Sequence, residues 1–290
     1  MWAERAVAAA TEAVTVSGMN AGGARLLRVG ENAAVVFPFA GVLAKVAAGP
    51  QAAESVRHEL AVAQWLASVD VPVVRSMVDK PLVIDGYAVA LWEHLPDARS
   101  ADLLTLAQAL RRLHAVTVPD PPPLPPVAPF ARLDDRLSLA ATITNGDRAF
   151  LTELRDQLAE GWQQTEFDLP TAVLHGDAHM DNLLVTGDGR PAFVDLEHVS
   201  IGPPEWDLTL TALYYECGWF SAEQYHNFAK AYGFDVRTSR AWPVLRRIRM
   251  LRMTTWLTQT AADYPERQAQ LRHRLMSLRD GSAPTGWTGF

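Results

Sequence analysis

The stretch VLHGDAHMDNLLVTGDGRPAFVDLEHV, Val173 to Val199, gathers His175, Asp177, His179, Asp181, Asn182, Asp195, Glu197 and His198 into 27 positions. Short runs of Val, Leu and Phe separate these polar residues, so the pattern is that of brief strands delivering polar groups to one place. LLVT and PAFV flank Gly-Asp-Gly, which predicts a hairpin. With the turn centred between Asp188 and Gly189, Asn182 falls opposite Asp195. The open end of the hairpin then carries an amide oxygen beside a carboxylate. Hard divalent ions such as Mg²⁺ take a few oxygen ligands of this kind, with phosphate and water completing the shell. Asp177 lies five residues before Asn182, within reach of the same space.

The rest of the chain must supply a body for that hairpin. Its 290 residues, about half of them hydrophobic, suffice for one large core or two lobes. A net charge of -7 argues against a nucleic-acid binder. The single cysteine, Cys217, cannot form an internal disulfide, and MWAERAVAAATEAVTVSG lacks the basic start of a signal peptide, so a reducing cytoplasm is expected. That first segment reads as an amphipathic helix packed on the body, and no stretch is long and apolar enough to span a membrane. Residues 24–47 read as a three-stranded meander, with GEN (Gly30 to Asn32) and AG as turns. A helix follows from Pro50, then strand texture again in PVVRSMV and LVIDGYAVALWEHL. Beyond residue 100 the pattern turns helical, with Leu103, Leu106, Leu110 and Leu113 on one stripe. VPDPPPLPPVAPF is an extended connector. Further helices are expected over 130–141 and 147–164, and from Trp206 onward nearly everything is helix. In the last of these, Trp242, Leu245, Ile248 and Trp256 form a core stripe, while Arg246, Arg247, Arg249 and Arg252 spread around it.

The spacing His175-Gly176-Asp177-x-x-x-x-Asn182 matches the catalytic loop H-x-D-x-x-x-x-N, in which Asp accepts the proton of an attacking hydroxyl and Asn binds metal. HGDAHMDN followed by VDLEHVSIGPPEWDL resembles the aminoglycoside phosphotransferase and choline kinase-like family. The resemblance implies an α+β protein kinase-like two-lobe fold. The N-lobe, residues 1–95, is a small antiparallel sheet with one main helix; the C-lobe, residues 96–290, is mostly helical. It implies Asp177 as catalytic residue, Asn182 and Asp195 as Mg²⁺ ligands, and ATP, or alternatively GTP, as phosphate donor. Lys45 stands in a strand where a lone charge is costly, and Glu59 stands on the apolar face of the next helix. Together they fit the lysine–glutamate pair that positions nucleotide phosphates. Glu93, His94 and Leu95 match the family's base-binding hinge, and Asn32 its phosphate-loop asparagine, although RVGENAAVV is poor in glycine.

Only twelve positions separate Asp195 from Asp207, too few for the activation segment of a protein kinase, so the expected acceptor is a small hydroxylated molecule. No nucleic acid, membrane or obligate protein partner is expected. His175 reads as a structural residue of the loop and Asp207 as the N-cap of the next helix, and the resemblance implies that Asp207 supports that loop. His179 and His198 have poor spacing for zinc. Asp181 and Glu197 are open between metal, substrate and solvent. Three functions fit: an antibiotic phosphotransferase conferring resistance, a metabolic kinase for a sugar or amino alcohol, and a nucleotide-binding pseudoenzyme. A missing catalytic Asp or metal ligand would favour the third, and none is missing.

Overall fold

Ala6, Ala9, Ala10, Ala13 and Val14 recur at helical spacing, and helix α1 (Trp2–Val16) buries that face. In this computed structural model, which describes residues 2–30, 32–262 and 264–289, α1 packs on an antiparallel sheet. The sheet comprises β1 (Arg25–Val29), β2 (Asn32–Phe37), β3 (Val42–Ala47), β4 (Leu82–Ile84) and β5 (Tyr87–Glu93), in the order β1-β2-β3-β5-β4. Strand period decides which side chains meet α1: Val42, Ala44 and Val46 of β3 join Val35, Phe37, Val89 and Leu91 in that core. Lys45 therefore points to the other face. Helix α2 (Ala52–Ser68) packs on β3 and β5 and buries Val56, Glu59, Leu60, Ala63 and Leu66. Of the expected turn Gly30 to Asn32, Glu31 lies outside the described residues.

The segment PVVRSMV is not a strand. Its backbone divides its bonds between Phe193 (from Val74) and β5 (from Met77 to Leu91 O, and from Glu93 to Arg75 O), so no continuous ladder forms.

After β6 (Arg99–Ser100), the side chain of Asp102 caps α3 (Leu103–His114) by accepting from Thr105 N at 2.7 Å. All four leucines of the α3 stripe are buried. Then come α4 (Leu133–Leu139), α5 (Asn145–Gln164), β7 (Ala172–Leu174), β8 (Leu183–Val185), β9 (Pro191–Phe193) and β10 (Ser200–Gly202). Four helices complete the chain: α6 (Glu205–Glu216), α7 (Ala222–Tyr232), α8 (Trp242–Leu257) and α9 (Pro265–Asp280). In α8 the buried face runs through Leu245, Ile248, Leu251 and Thr255, one step around from Trp256, which is 40% exposed rather than in the core.

The chain forms two compact units. One comprises the residues up to Pro125 with Met180–Val199; the other comprises Pro126–His179 with the residues from Ser200 onward. The first holds the five-stranded sheet and the three-stranded sheet β6-β8-β9; the second is mostly helical and adds the pair β7-β10. Among the described residues no helix is long and apolar enough to cross a membrane.

Candidate active site

The first unit assembles its polar cluster around Lys45. The Lys45 ammonium donates to Glu59 Oε1 at 3.0 Å, Asp195 Oδ1 at 2.7 Å and Glu197 Oε2 at 3.1 Å. β3 aims Lys45 away from α1, the apolar stripe of α2 carries Glu59, and α2 also packs on the 3-10 turn Leu196–His198 that presents Glu197. The side chains of Lys45 and Glu59 are 10% and 4% exposed, so each needs the other. Burial works against the charge on Lys45, but Glu59, Asp195 and Glu197 outweigh it and hold the ammonium above its usual range. Burial pushes the Glu59 carboxyl upward, and the pull of Lys45 offsets only part of that. At Asp195 burial is overcome by Lys45, and the carboxyl is held below its usual range.

Asp195 has a left-handed backbone, φ 59° and ψ 58°, a region Asp tolerates better than most residues. Arg28 of β1 approaches it at 3.8 Å, a contact that the sequence did not suggest. Asn32, the first residue of β2, donates from Nδ2 to Glu197 Oε2 at 3.0 Å. Asn32, Lys45, Glu59 and Asp195 are thus brought together, with Glu197 as the linking carboxylate. Asp181 accepts from Ser100 Oγ at 2.5 Å, which ties its turn to β6.

The hairpin register differs by one residue from the expectation. Leu183 pairs with Phe193 and Val185 with Pro191, and Val194 N donates to Asn182 O at 3.0 Å. Asn182 therefore lies opposite Val194, not Asp195. The cause is the turn: Thr186 and Arg190 close a three-residue loop centred on Asp188, with Gly189 at φ 85°, where the centre was expected between Asp188 and Gly189. At the expected hinge, Glu93 N donates to Arg75 O and His94 N to Gly41 O, both at 2.9 Å. Leu95 is the remaining N–H of the three, and it has no protein acceptor among the described residues.

Three carboxylates against Lys45 and the more distant Arg28 leave surplus negative charge on hard oxygen donors, which fits a divalent cation such as Mg²⁺. Among the described residues no three His, Cys, Asp or Glu side chains are grouped to hold a metal alone. A site that relies on nucleotide phosphates for its remaining ligands has the same character.

Asp177 belongs to the second unit, after β7. Asp207, fully buried, accepts from His175 N at 2.7 Å and Gly176 N at 2.9 Å. Helix α6 begins at Glu205 with Pro204 as its N-cap, three residues before the expected one, so Asp207 is inside the helix and not its N-cap. Its support of the loop stands. His175 is completely buried. Trp206 donates from Nε1 to Gly176 O at 3.0 Å. Arg249, 2% exposed, donates to the same oxygen at 3.2 Å and lies over the Trp206 ring at 3.8 Å. Arg246 pairs with Glu216, and Arg247 donates to Leu278 O. A hollow along α5, lined by residues such as Arg148, Thr152 and Asp156, contains none of the candidate residues.

The sequence matches the phosphotransferase enzyme family (APH) over residues 40–248, more than two thirds of its length. The chain belongs to the phosphotransferase enzyme family. A microcompartment-associated aminopropanol kinase is 20% identical, with 94% of this chain and 95% of that one covered, at a TM-score of 0.70. An amicoumacin kinase in complex with AMP-PNP, Ca²⁺ and Ami is 15% identical, with 91% and 90% covered, at 0.66. An aminoglycoside phosphotransferase from Streptomyces rimosus is 20% identical, with 83% and 96% covered, at 0.63. No match was found among curated proteins. The phosphotransferase fold is the protein kinase-like one, with an antiparallel-sheet N-lobe and a helical C-lobe.

Proposed function

We propose that this phosphotransferase moves the γ-phosphate of ATP, or alternatively GTP, to a hydroxyl of a small molecule. The observation that carries the reading is the Lys45 cluster, in which one buried ammonium is held by Glu59 and faces Asp195 and Glu197. Such a cluster suits nucleotide phosphates: Lys45 binds them, and Glu59 keeps Lys45 in position. Asn182 and Asp195 would hold Mg²⁺. Bound there, the ion neutralises charge on the transferred group. Asn32 serves the phosphate loop. The base sits at Glu93 to Leu95, with Leu95 N–H as its donor. Asp177 orients the acceptor hydroxyl and takes its proton. The amicoumacin kinase held with AMP-PNP and Ca²⁺ supports a nucleotide and a divalent ion.

In this reading residues 1–95 form the nucleotide-binding lobe, and residues 96–290 carry the catalytic loop and acceptor pocket. The protein acts in the cytoplasm without a nucleic-acid, membrane or obligate protein partner. The acceptor is an antibiotic or a metabolite such as a sugar or amino alcohol. The test is Mg-nucleotide binding by calorimetry in three variants. Lys45→Met and Asp195→Ala should weaken binding, and Asp177→Asn should leave it near wild type. Wild-type protein that binds no nucleotide would overturn the proposal.

A further inference from the structure

Arginines gather around Asp177. Arg249 Nη1 stands 3.7 Å from Asp177 Oδ1, and its other contacts, to Gly176 O, Trp206 O and the Trp206 ring, bind it to the loop. Arg252 follows three residues on, on the same face of α8, 5.7 Å from the centre of the same ring. It donates one N–H to Pro129 O at 2.9 Å and makes no ion pair among the described residues. Helix α4 packs on α8 and contributes half-buried Arg136, with Arg132 at its N-cap.

Asp177 is the carboxylate whose field reaches both Arg252 and Arg136. Asp207 and Tyr214 act on Arg249, and Asp207 is already engaged by two backbone N–H groups. On α4, Asp134 is held by Arg155, and Asp135 is exposed. Burial draws Arg252 down to about 9, and Arg249 adds to the fall. A guanidinium has five N–H donors in a fork that matches carboxylate and phosphate. Arg252 uses one of them. Arg252, half-buried beside other cations and without an ion pair among the described residues, is in an unfavourable position until an anion arrives.

We propose that the acceptor alcohol carries an oxyanion group, carboxylate or phosphate, and that Arg252 with Arg136 binds it while Asp177 receives the hydroxyl. This rests on Asp177 being the catalytic residue. A polycationic acceptor would meet like charge here.

The test follows thermal unfolding with malonate and, separately, inorganic phosphate, in wild type, Arg252→Met, Arg252→Lys, Arg136→Gln and Lys45→Met. A saturable rise in Tm is expected in wild type and Lys45→Met. Apparent affinity should fall roughly tenfold or more in Arg252→Met, and also fall in Arg136→Gln, with partial rescue in Arg252→Lys. A response to malonate alone marks a carboxylate acceptor; a response to phosphate alone marks a phosphorylated one. A rise lost in Lys45→Met but kept in Arg252→Met puts the anion at the nucleotide site and overturns the proposal. An equal, unsaturable rise in every protein is salting, and overturns it too; so does no rise at all. If Arg252→Met fails to fold, Arg136→Gln and Arg252→Lys decide. Mg-ATP turnover with glycerate, glycerol and kanamycin reads the kinase reaction separately. Anion binding at Arg252 without any Asp177-dependent ADP release would refute the kinase reading and leave the anion site standing. Kanamycin turnover with an unchanged KM in Arg252→Met would refute the anion site.

Discussion

Replacing Lys45 with Met removes the only cation within bonding distance of Glu59 among the described residues, and the Glu59 side chain is 4% exposed. The volume is nearly conserved, so the cost is electrostatic. Removing one partner of a buried pair costs about 3–5 kcal/mol, because the remaining charge is left without compensation. Asp195 and Glu197, which Lys45 also binds, then repel each other and Glu59. For a chain of 290 residues unfolding as one unit, that is a loss of about 5–8 °C in Tm. The deficit depends on pH, and its sign follows from Glu59. Burial raises its folded-state pKa, so the folded protein binds the proton more tightly than the unfolded chain, and stability falls as pH rises through that range. Without Lys45 the pKa rises further, so the deficit of Lys45→Met should be full at pH 8 and shrink by more than about 1 kcal/mol at pH 5. Urea melts of both proteins at the two pH values, in metal-free buffer, measure this. A deficit below about 1 kcal/mol, equal at both pH values, would refute the view that Lys45 compensates a buried carboxylate.

Asp207→Asn keeps the shape but removes the charge that two backbone N–H groups address, and should cost about 2–3 kcal/mol. In differential scanning its loss should accompany a lowered kcat with the nucleotide KM little changed, since it acts through the loop of Asp177. Ala10 is wholly buried between α1 and the sheet, so Ala10→Leu should overpack that layer and cost about 1–3 kcal/mol in a chemical melt. A neutral result would mean that α1 is not tightly seated.

Local pattern made much of this molecule legible in the sequence. Alternation and turn residues predicted the meander of residues 24–47, and spacing placed Lys45 and Glu59 within reach of each other. What failed depended on geometry that pattern does not carry. Gly-Asp-Gly does not say where its turn is centred, and a loop centred on Asp188 itself put Asn182 opposite Val194 instead of Asp195. The start of α6 at Glu205, with Pro204 as N-cap, turned Asp207 from a cap into a buried acceptor. The hinge motif did not show that Gly41 takes the His94 N–H. Most of all, Arg249 and Arg252 read as two of four arginines spread around one helix, mostly solvated or paired. Their spacing of three signals a shared face, but only the packing of α4 on α8 assembles the arginine cluster near Asp177.

The proposed function turns on Asp177 serving phosphoryl transfer to a small alcohol. The most direct measurement is ADP release from Mg-ATP across sugars, amino alcohols, hydroxy acids and aminoglycosides, with Asp177→Asn as the blank and the product weighed by mass spectrometry. At least one acceptor should gain a phosphate, with the rate falling by about 10²–10⁴ in Asp177→Asn while Mg-ATP binding persists. Phosphorylation that continues unchanged in Asp177→Asn would contradict the proposed function.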